Sequence, residues 1–334
     1  MLKMSRFKTY RGRIAPTPSG FLHLGHARTF RIACERARLF GGKIVLRIED
    51  IDSQRTRQIY KDQIIPDLKK AGITWDEGDD IGGDFGPYTQ SNRLNFYKES
   101  LFKLLEKKLI YPSFESRAQI RALSKAPCAK SGDFEPEAIF PLSLRPKSFE
   151  MPQNPLLCNW RFKVPQDKVV EFEDKLAGHQ RFVGQVDFGD FLVWRKSGEP
   201  SYELAVVADD IAMQISEVVR GRDLLLSTAR QILLYEAFEA EIPDFAHCPL
   251  LLDASQKKLS KSVLKNEADN PFLIKNIPED SAELQKIKFL NWLEGELQFC
   301  KTSLSSKLQA RLKNEQQNRE IFSPKQKLKS ETKT

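Results

Sequence analysis

The stretch "YRGRIAPTPSGFLHLGHARTFRIACERARLFGGKIVLRIED", residues 10–50, decides the fold. Residues 10–16 have the composition of a short strand. From about Ala27, apolar residues at helical spacing predict a helix that ends at Gly41 and Gly42. "KIVLRIED" then predicts a buried strand that ends on carboxylates. A strand, a helix and a strand in quick succession form a βαβ unit, so we expect a parallel sheet.

Two of the four histidines, His23 and His26, flank Gly25 where the first strand meets the helix. A helix N-terminus presents free N–H groups and attracts phosphate, and glycine lets a ligand approach the backbone. The motif predicts a phosphate site. Taken alone, it is equally compatible with a histidine pair that only caps the helix.

A second basic motif, "KKLSKS" at residues 257–262, falls in a predicted loop. Its lysines could neutralise the charge that develops on a triphosphate during cleavage. By itself this stretch is more typical of a solvated basic loop.

The composition limits the classes of protein to which this chain can belong. The 334 residues are 40% apolar and 29% charged, with a net charge of +8. A basic chain suits a polyanionic partner such as RNA. The five cysteines are scattered singly, which argues against a disulfide framework and a zinc site. No run is apolar enough for a signal peptide or a membrane span, so we expect a cytoplasmic protein with no membrane partner.

The rest of the chain alternates between regular and irregular segments. Residues 112–160 show no clear periodicity and are interpreted as an insertion. Strands are predicted at 191–195 and 202–208, the second ending at Asp209 and Asp210. Further helices are predicted near 54–71, 91–108 and 222–239. Residues 301–334 carry nine basic and three acidic side chains, a net +6, and the last twenty or so are predicted to be disordered.

The two motifs together, in this order, resemble the HIGH and KMSKS signatures of class I aminoacyl-tRNA synthetases. The stretches that narrow the resemblance to the glutamyl-tRNA synthetase group extend over residues 11–262: "GRIAPTPSGFLHLGHART", "LRIEDID", "YTQSNR", "SYELAVVADD", "EVVRGRDLLLSTARQILLY" and "LSKS".

The resemblance implies roles for particular residues. Those matching the glutamate contacts of the group are Arg13, Ile14, Ala15, Pro16, Thr17, Glu49, Tyr202 and Arg220, with Ser19 beside them. Those matching the ATP contacts are His23, Gly25, His26, Lys258, Ser260 and Lys261, of which His23, His26 and Lys261 are the expected catalytic residues. Arg13 would face a substrate carboxylate and Glu49 the substrate ammonium. Without the resemblance, Arg13 and Glu49 could be an ion pair and Tyr202 a core ring.

The region after residue 262 is too short for the helical anticodon-binding region of a full glutamyl-tRNA synthetase. The chain is therefore similar to the truncated paralogue family, the glutamyl-Q tRNA(Asp) synthetases. That similarity implies ATP-dependent activation of L-glutamate, with Mg²⁺ accompanying ATP, and transfer of glutamate to queuosine in the anticodon of tRNA(Asp). A shortened glutamyl-tRNA synthetase that charges a tRNA 3′ end is the alternative, and a non-catalytic binding relic is disfavoured by the intact motifs.

The implied fold class is α/β, a class I synthetase Rossmann-type parallel sheet with an inserted acceptor-binding-like subdomain and a short helical C-terminal region. The corresponding division is 1–111 and 186–262 for the catalytic halves, 112–185 for the insertion, 263–312 for a helical stem-contact-like region and 313–334 for a basic tail. Many members bind zinc in the insertion. Here the matching positions are Ser113, Glu115, Phe140 and Leu144, so we expect no structural zinc.

Overall fold

The computed structural model describes residues 9–124, 139–250, 270, 272–279 and 281. The chain divides into two units, Met1–Lys288 and Phe289–Thr334. Every described residue lies in the first unit. The proposed helical region and basic tail lie almost entirely outside the described residues, and the five-part division of the chain stays a prediction.

The N-terminal βαβ unit forms as predicted. Strand β1 (Arg11–Ile14) pairs in parallel with β2 (Lys43–Leu46), from Arg11 opposite Lys43 to Ile14 opposite Leu46. Helix α1 (Leu24–Leu39) connects them and buries its apolar side chains. Gly41, at a φ of +63°, ends the helix in a left-handed conformation that glycine adopts without strain.

A second parallel pair lies beside the first. Strand β8 (Glu217–Gly221) pairs with β9 (Asp244–Cys248), and helix α6 (Leu225–Ala237) connects them. The backbone N–H of Ser216, just before β8, donates to the carbonyl of Arg11 at 2.9 Å. β1 and β8 are therefore neighbours, and their carboxyl ends lie at the same edge.

A hairpin extends the second pair. Strand β5 (Val169–Asp174) pairs antiparallel with β6 (Gly178–Val183), and joins β9 in parallel at one position, Asp174 opposite Phe245. Asp174, which belongs to the predicted insertion, is thereby placed beside β9.

The segment 112–160 is more regular than its sequence indicated. Strand β3 (Ile110–Ser113) pairs with β4 (Asn159–Phe162), which pairs with β7 (Phe191–Trp194), all antiparallel. Helix α4 (Arg117–Leu123) is capped by Ser116, whose hydroxyl accepts the N–H of Gln119. Helices α2 (Gln58–Lys70) and α3 (Leu94–Glu106) confirm the helices predicted near 54–71 and 91–108.

The prediction of a strand at 202–208 was wrong. Residues Tyr202–Ala212 form helix α5, capped by Ser201, whose hydroxyl accepts the N–H of Leu204 at 3.3 Å. Nearly every residue of this helix is buried. Burial extends around this helix, and its acidic residues are buried too, so the short apolar run at residues 204–208 with its two valines resembled a buried strand.

The main core joins these layers through large side chains. Tyr97, Trp160 and Trp194 are fully buried, and they pack in one cluster with residues of α5, α6 and β8. Within the described part of the chain, no helix combines the length and apolarity needed to cross a membrane.

Candidate active site

A cleft of about 550 Å³ opens where β1 and β8 end and α1 begins. Several elements, distant in sequence, contribute to its lining. The sequence-predicted residues among its lining are Arg13, Ala15, Pro16, Thr17, Ser19, His23, Gly25, His26, Glu49, Tyr202 and Arg220. Because parallel strands present their carboxyl ends at one edge, the fold brings these residues together.

The two histidines cap helix α1 with their own rings. Nδ1 of His23 accepts the N–H of Gly25 at 3.1 Å, and Nδ1 of His26 accepts the N–H of His23 at 3.2 Å. A ring nitrogen that accepts a hydrogen bond carries no proton. Each imidazole is therefore neutral with its proton on Nε2, the form that can donate to a phosphate oxygen. Capping and phosphate binding are thus compatible roles for the same pair.

Glu49 is the carboxylate of the cleft. It is 7% exposed, and Nη2 of Arg47 donates to its Oε1 at 3.0 Å. Burial raises the pKa of Glu49, while the charges of Arg47 and Arg13 oppose that rise. Arg47 is itself fully buried and also binds Asp210 at 2.6 Å. Glu49 is therefore a buried carboxylate that lines the cleft and is held in place by Arg47.

Arg13 belongs to the same network. It is 4% exposed, its Nη1 donates to the carbonyl of Val219 at 2.8 Å, and its Nε lies 3.9 Å from a carboxylate oxygen of Asp210. Burial lowers its pKa, which means that its charge lacks full solvation. The alternative interpretation, an Arg13–Glu49 ion pair, is not found among the described residues, and Glu49 pairs with Arg47 instead.

Arg220 is the second buried guanidinium. It is 5% exposed, and all its recorded partners are neutral: Nε of Arg220 donates to His247, Nη2 to Thr228 at 2.7 Å and Nη1 to Tyr202 at 3.4 Å. No carboxylate of the described residues lies within 4 Å of it. A buried cation without a counter-ion favours an anionic ligand.

Tyr202 begins α5, and burial raises the pKa of its hydroxyl to about 12. The hydroxyl is thus a neutral donor at physiological pH. Tyr202 lines the cleft together with Arg220 and accepts from its Nη1, rather than serving as a core ring.

Some predicted residues are not brought to the cleft. Ile14 is fully buried and absent from the lining; its carbonyl accepts the N–H of Arg47. Lys258, Ser260 and Lys261 lie outside the described residues. Of the described residues flanking them, Leu250 lines the cleft and Leu273 forms a backbone bridge with His23.

Sequence reasoning missed other lining residues. They are Thr29, Phe30, Arg55, Val219, Gly221, Asp223, Leu224, Pro249 and Leu250. Most lie directly beside a residue that was singled out, or after β9. Proximity in the chain to a chosen motif was the signal available for them.

The four positions expected not to bind zinc form a different cluster. Ser113 donates to Glu115 at 2.6 Å and accepts from Nε of Arg161 at 3.0 Å. The Arg161 guanidinium lies 4.1 Å from the ring centroid of Phe140. The donor set does not fit a structural metal, because a cation already lies against these side chains.

The arrangement matches a zwitterion beside a phosphate. Arg13 and Arg220 favour a carboxylate, and Glu49 favours an ammonium group. The N-terminus of α1, with Gly25 and two Nε2–H donors, favours a phosphate. Such a cleft suits the joining of an amino acid to a nucleotide, within an α/β nucleotide-binding fold.

The class of protein follows from comparison with known proteins. The family described as "tRNA synthetases class I (E and Q), catalytic domain" matches residues 9–326. The chain belongs to this family, and is thus an enzyme of the aminoacyl-tRNA synthetase type, a ligase class that uses ATP.

Particular relatives are more informative. The "Glutamyl-Q tRNA(Asp) synthetase" of Symbiobacterium thermophilum is 45% identical over 255 residues, which cover 75% of this chain and 77% of the relative. The protein of the same name from Nitratidesulfovibrio vulgaris is 43% identical over 258 residues, with the same coverage.

A solved structure supports the fold. The crystal structure of a glutamate tRNA ligase from Elizabethkingia meningosepticum in complex with its amino acid is 30% identical, with a TM-score of 0.67. It covers 80% of this chain, whereas the chain covers 54% of that protein. The chain thus spans about half the length of that ligase, and the expected class I Rossmann-type α/β fold is confirmed.

Proposed function

We propose that this chain activates L-glutamate with ATP to form glutamyl-adenylate, and transfers the glutamate to queuosine in the anticodon of tRNA(Asp). We place this activity in the cytoplasm. One observation carries the proposal. Arg220, a buried guanidinium whose partners are neutral, lines the same cleft as the buried carboxylate Glu49. The names of the two glutamyl-Q tRNA(Asp) synthetases reported above, 77% of whose own length is matched, support the choice of acceptor.

Glutamate fits the cleft because it carries two carboxylates and one ammonium. Arg13 and Arg220 would hold carboxylate oxygens, with Tyr202 donating a further hydrogen bond, and Glu49 would hold the ammonium. Arg47 holds Glu49 in place, and its charge opposes the rise in the pKa of Glu49 that burial causes. A neutral amide at the end of the substrate would leave a buried guanidinium without its anion.

Activation proceeds by displacement at the α-phosphate of ATP. The α-carboxylate of glutamate attacks this phosphorus, its P–O bond forms as the bond to the β-phosphate oxygen breaks, and pyrophosphate leaves with the electron pair. His23 and His26 would donate from Nε2 to the phosphate oxygens. Lys258, Ser260 and Lys261 would contact the same group. Bound Mg²⁺ would neutralise charge on the phosphates. This ion would accompany ATP, whose phosphate oxygens are ligands that Mg²⁺ prefers.

A second candidate is the charging of a tRNA 3′ end. It is favoured by the solved glutamate tRNA ligase, whose structure matches most of this chain. The chemistry of activation is the same for both candidates. They differ in the nucleophile that receives glutamate, a diol of the queuosine base or the terminal ribose.

Two measurements test the proposal. ATP–pyrophosphate exchange should occur with glutamate in the absence of tRNA. Labelled glutamate should then be transferred to a queuosine-bearing tRNA(Asp) that lacks its 3′-terminal adenosine, and nuclease mapping should place the label in the anticodon loop.

The matched control is intact tRNA(Asp) with guanosine in place of queuosine. It should remain unlabelled. Labelling of this control, together with loss of labelling from the shortened tRNA, would establish the 3′-end reading instead. Absence of exchange with any amino acid would reject both.

A further inference from the structure

A buried pair outside the cleft, Asp174 and His247, holds Arg220 from behind. His247 is 1% exposed and Asp174 is 5% exposed. Nδ1 of His247 lies 2.6 Å from a carboxylate oxygen of Asp174, and Nε2 of His247 lies 3.0 Å from Nε of Arg220. The three residues form a line from the β5–β6 hairpin, through β9, to β8 at the edge of the cleft.

The chemistry of this line fixes the protonation of His247. The guanidinium of Arg220 can only donate, so Nε2 of His247 must accept. The ring is therefore neutral, with its single proton on Nδ1, which it donates to Asp174. Burial lowers the pKa of His247 to about 4, and the charge of Arg220 acts in the same direction.

The contacts also restrict where Arg220 can direct its remaining donors. Its Nε is taken by His247 and one Nη2 donor by Thr228. Nη1 lies on the side of Tyr202, which lines the cleft. The contacts with His247 and Thr228 thus lie on the side of the guanidinium away from the cleft. The side that faces the cleft is left for a ligand.

We propose that Asp174 and His247 are positioning residues that hold Arg220 for the substrate carboxylate, by locking His247 in the tautomer with the proton on Nδ1. The proposal rests on the proposed function, in which Arg220 contacts glutamate. Neither residue touches the substrate, and each acts through Arg220.

Asp174 offers a sharp test because its two oxygens have different roles. Oδ1 accepts the backbone N–H groups of Leu176, Ala177 and His247 at 3.0, 2.7 and 3.0 Å. Oδ2 lies 2.6 Å from Nδ1 of the His247 ring, and the backbone N–H of His247 also reaches it at 3.2 Å. In Asp174→Asn, the oxygen is held by these N–H groups and the amide NH₂ faces Nδ1. The ring must then move its proton to Nε2, where it opposes the Nε–H of Arg220.

The experiment measures ATP–pyrophosphate exchange for the full chain. For Asp174→Asn and His247→Phe we expect the KM for glutamate to rise roughly 10- to 100-fold, while the KM for ATP stays within about twofold. His247→Gln, whose side-chain oxygen can still accept from Arg220, should recover most of the glutamate affinity. Long-range ¹⁵N NMR of the imidazole should show the proton on Nδ1 in the parent and on Nε2 in Asp174→Asn.

Asp187→Asn is the matched control, since Asp187 accepts the backbone N–H of Val183 in the turn after β6. It should leave all constants unchanged. An unchanged glutamate KM in both Asp174→Asn and His247→Phe would overturn the proposal, as would a proton on Nε2 of His247 in the parent. A merely structural role would lower the fraction of active enzyme without changing KM. A parent that activates no glutamate would instead reject the proposed function, and the NMR result would still report the tautomer.

Discussion

Arg47 and Asp210 form a buried ion pair beneath the cleft, with Nη1 of Arg47 2.6 Å from the carboxylate and neither side chain more than 1% exposed. The same guanidinium lies 3.7 Å from Asp209 and 3.0 Å from Glu49. One cation therefore balances three carboxylates, with help from Arg13 and Arg93.

Replacing Arg47 by Met should destabilise the fold by about 3–5 kcal/mol, because the carboxylates remain buried without their shared cation. Urea unfolding measures the change. Arg195→Met is the control: Arg195 pairs with Asp52 at 3.5 Å near the surface, and its loss should cost about 0–1 kcal/mol. Equal losses in the two variants would contradict the central role of Arg47.

Lys261→Ala should lower the rate of glutamate activation by roughly 10²–10³, as expected for one charged contact to the transition state. The KM for glutamate should barely change. Pyrophosphate exchange measures both constants. Lys257→Ala, in the same basic stretch, should stay within about twofold of the parent, and a similar result for Lys261→Ala would show that its side chain has no catalytic role.

Glutamine should be a very poor substrate, with kcat/KM at least about 10²-fold below that of glutamate, because a neutral amide leaves a buried guanidinium unpaired. Arg13→Met should reduce this discrimination. Arg55→Met should preserve it, since Arg55 also lines the cleft but is exposed. Comparable exchange rates for the two amino acids in the parent would reject the assignment of Arg13.

The stability of the chain should depend on pH through Asp67. Burial raises its pKa to about 6, and one of its oxygens has no hydrogen-bond partner among the described residues. In the unfolded chain the carboxyl group of Asp67 ionises near pH 3.9. The stability that protonated Asp67 contributes to the folded chain is therefore lost as pH rises from about 4 to about 6. Asp67→Asn should therefore be more stable than the parent at pH 8, by about 1–3 kcal/mol, with a smaller difference at pH 5.

Urea unfolding at both pH values measures the effect. Asp62→Asn on the same helix is the control, because Asp62 is exposed and bonds Gln58. A gain in Asp67→Asn that did not change with pH would point to packing instead of ionisation.

Elemental analysis should find well under one zinc per chain, and chelators should leave the melting temperature unchanged. Arg161→Met should lower that temperature, because Ser113 and the carbonyl of Asp190 lose their donor. Stoichiometric zinc would mean that the metal positions of the family lie elsewhere in this chain.

The local features of the fold could be predicted from the sequence, and the contacts behind the site could not. The βαβ unit followed from periodicity and from the two glycines that end α1. Helix α5 was missed because its short apolar run at residues 204–208 resembles a buried strand, although Ser201 before it and the absence of Gly or Pro within it were available signals.

The same division holds for the site. His23, Glu49 and Arg220 were singled out because motifs of the family mark them, and the structure brings them to one cleft. Arg47, Asp174 and His247 were not, since a buried charge acquires its meaning from partners far away in the chain. Asp174 and His247 are 73 positions apart, and no local pattern joins them.

The contact between Arg13 and the carbonyl of Val219 joins strands that are separated by about two hundred residues of chain. If glutamate binds to Arg13, Glu49 and Arg220 as proposed, it would act as a reversible cross-link between these distant segments. At a hundred times its dissociation constant, such a ligand adds about 2.7 kcal/mol to the free energy of unfolding. We therefore expect a protease to cleave the chain more slowly when glutamate is bound than when the cleft is empty.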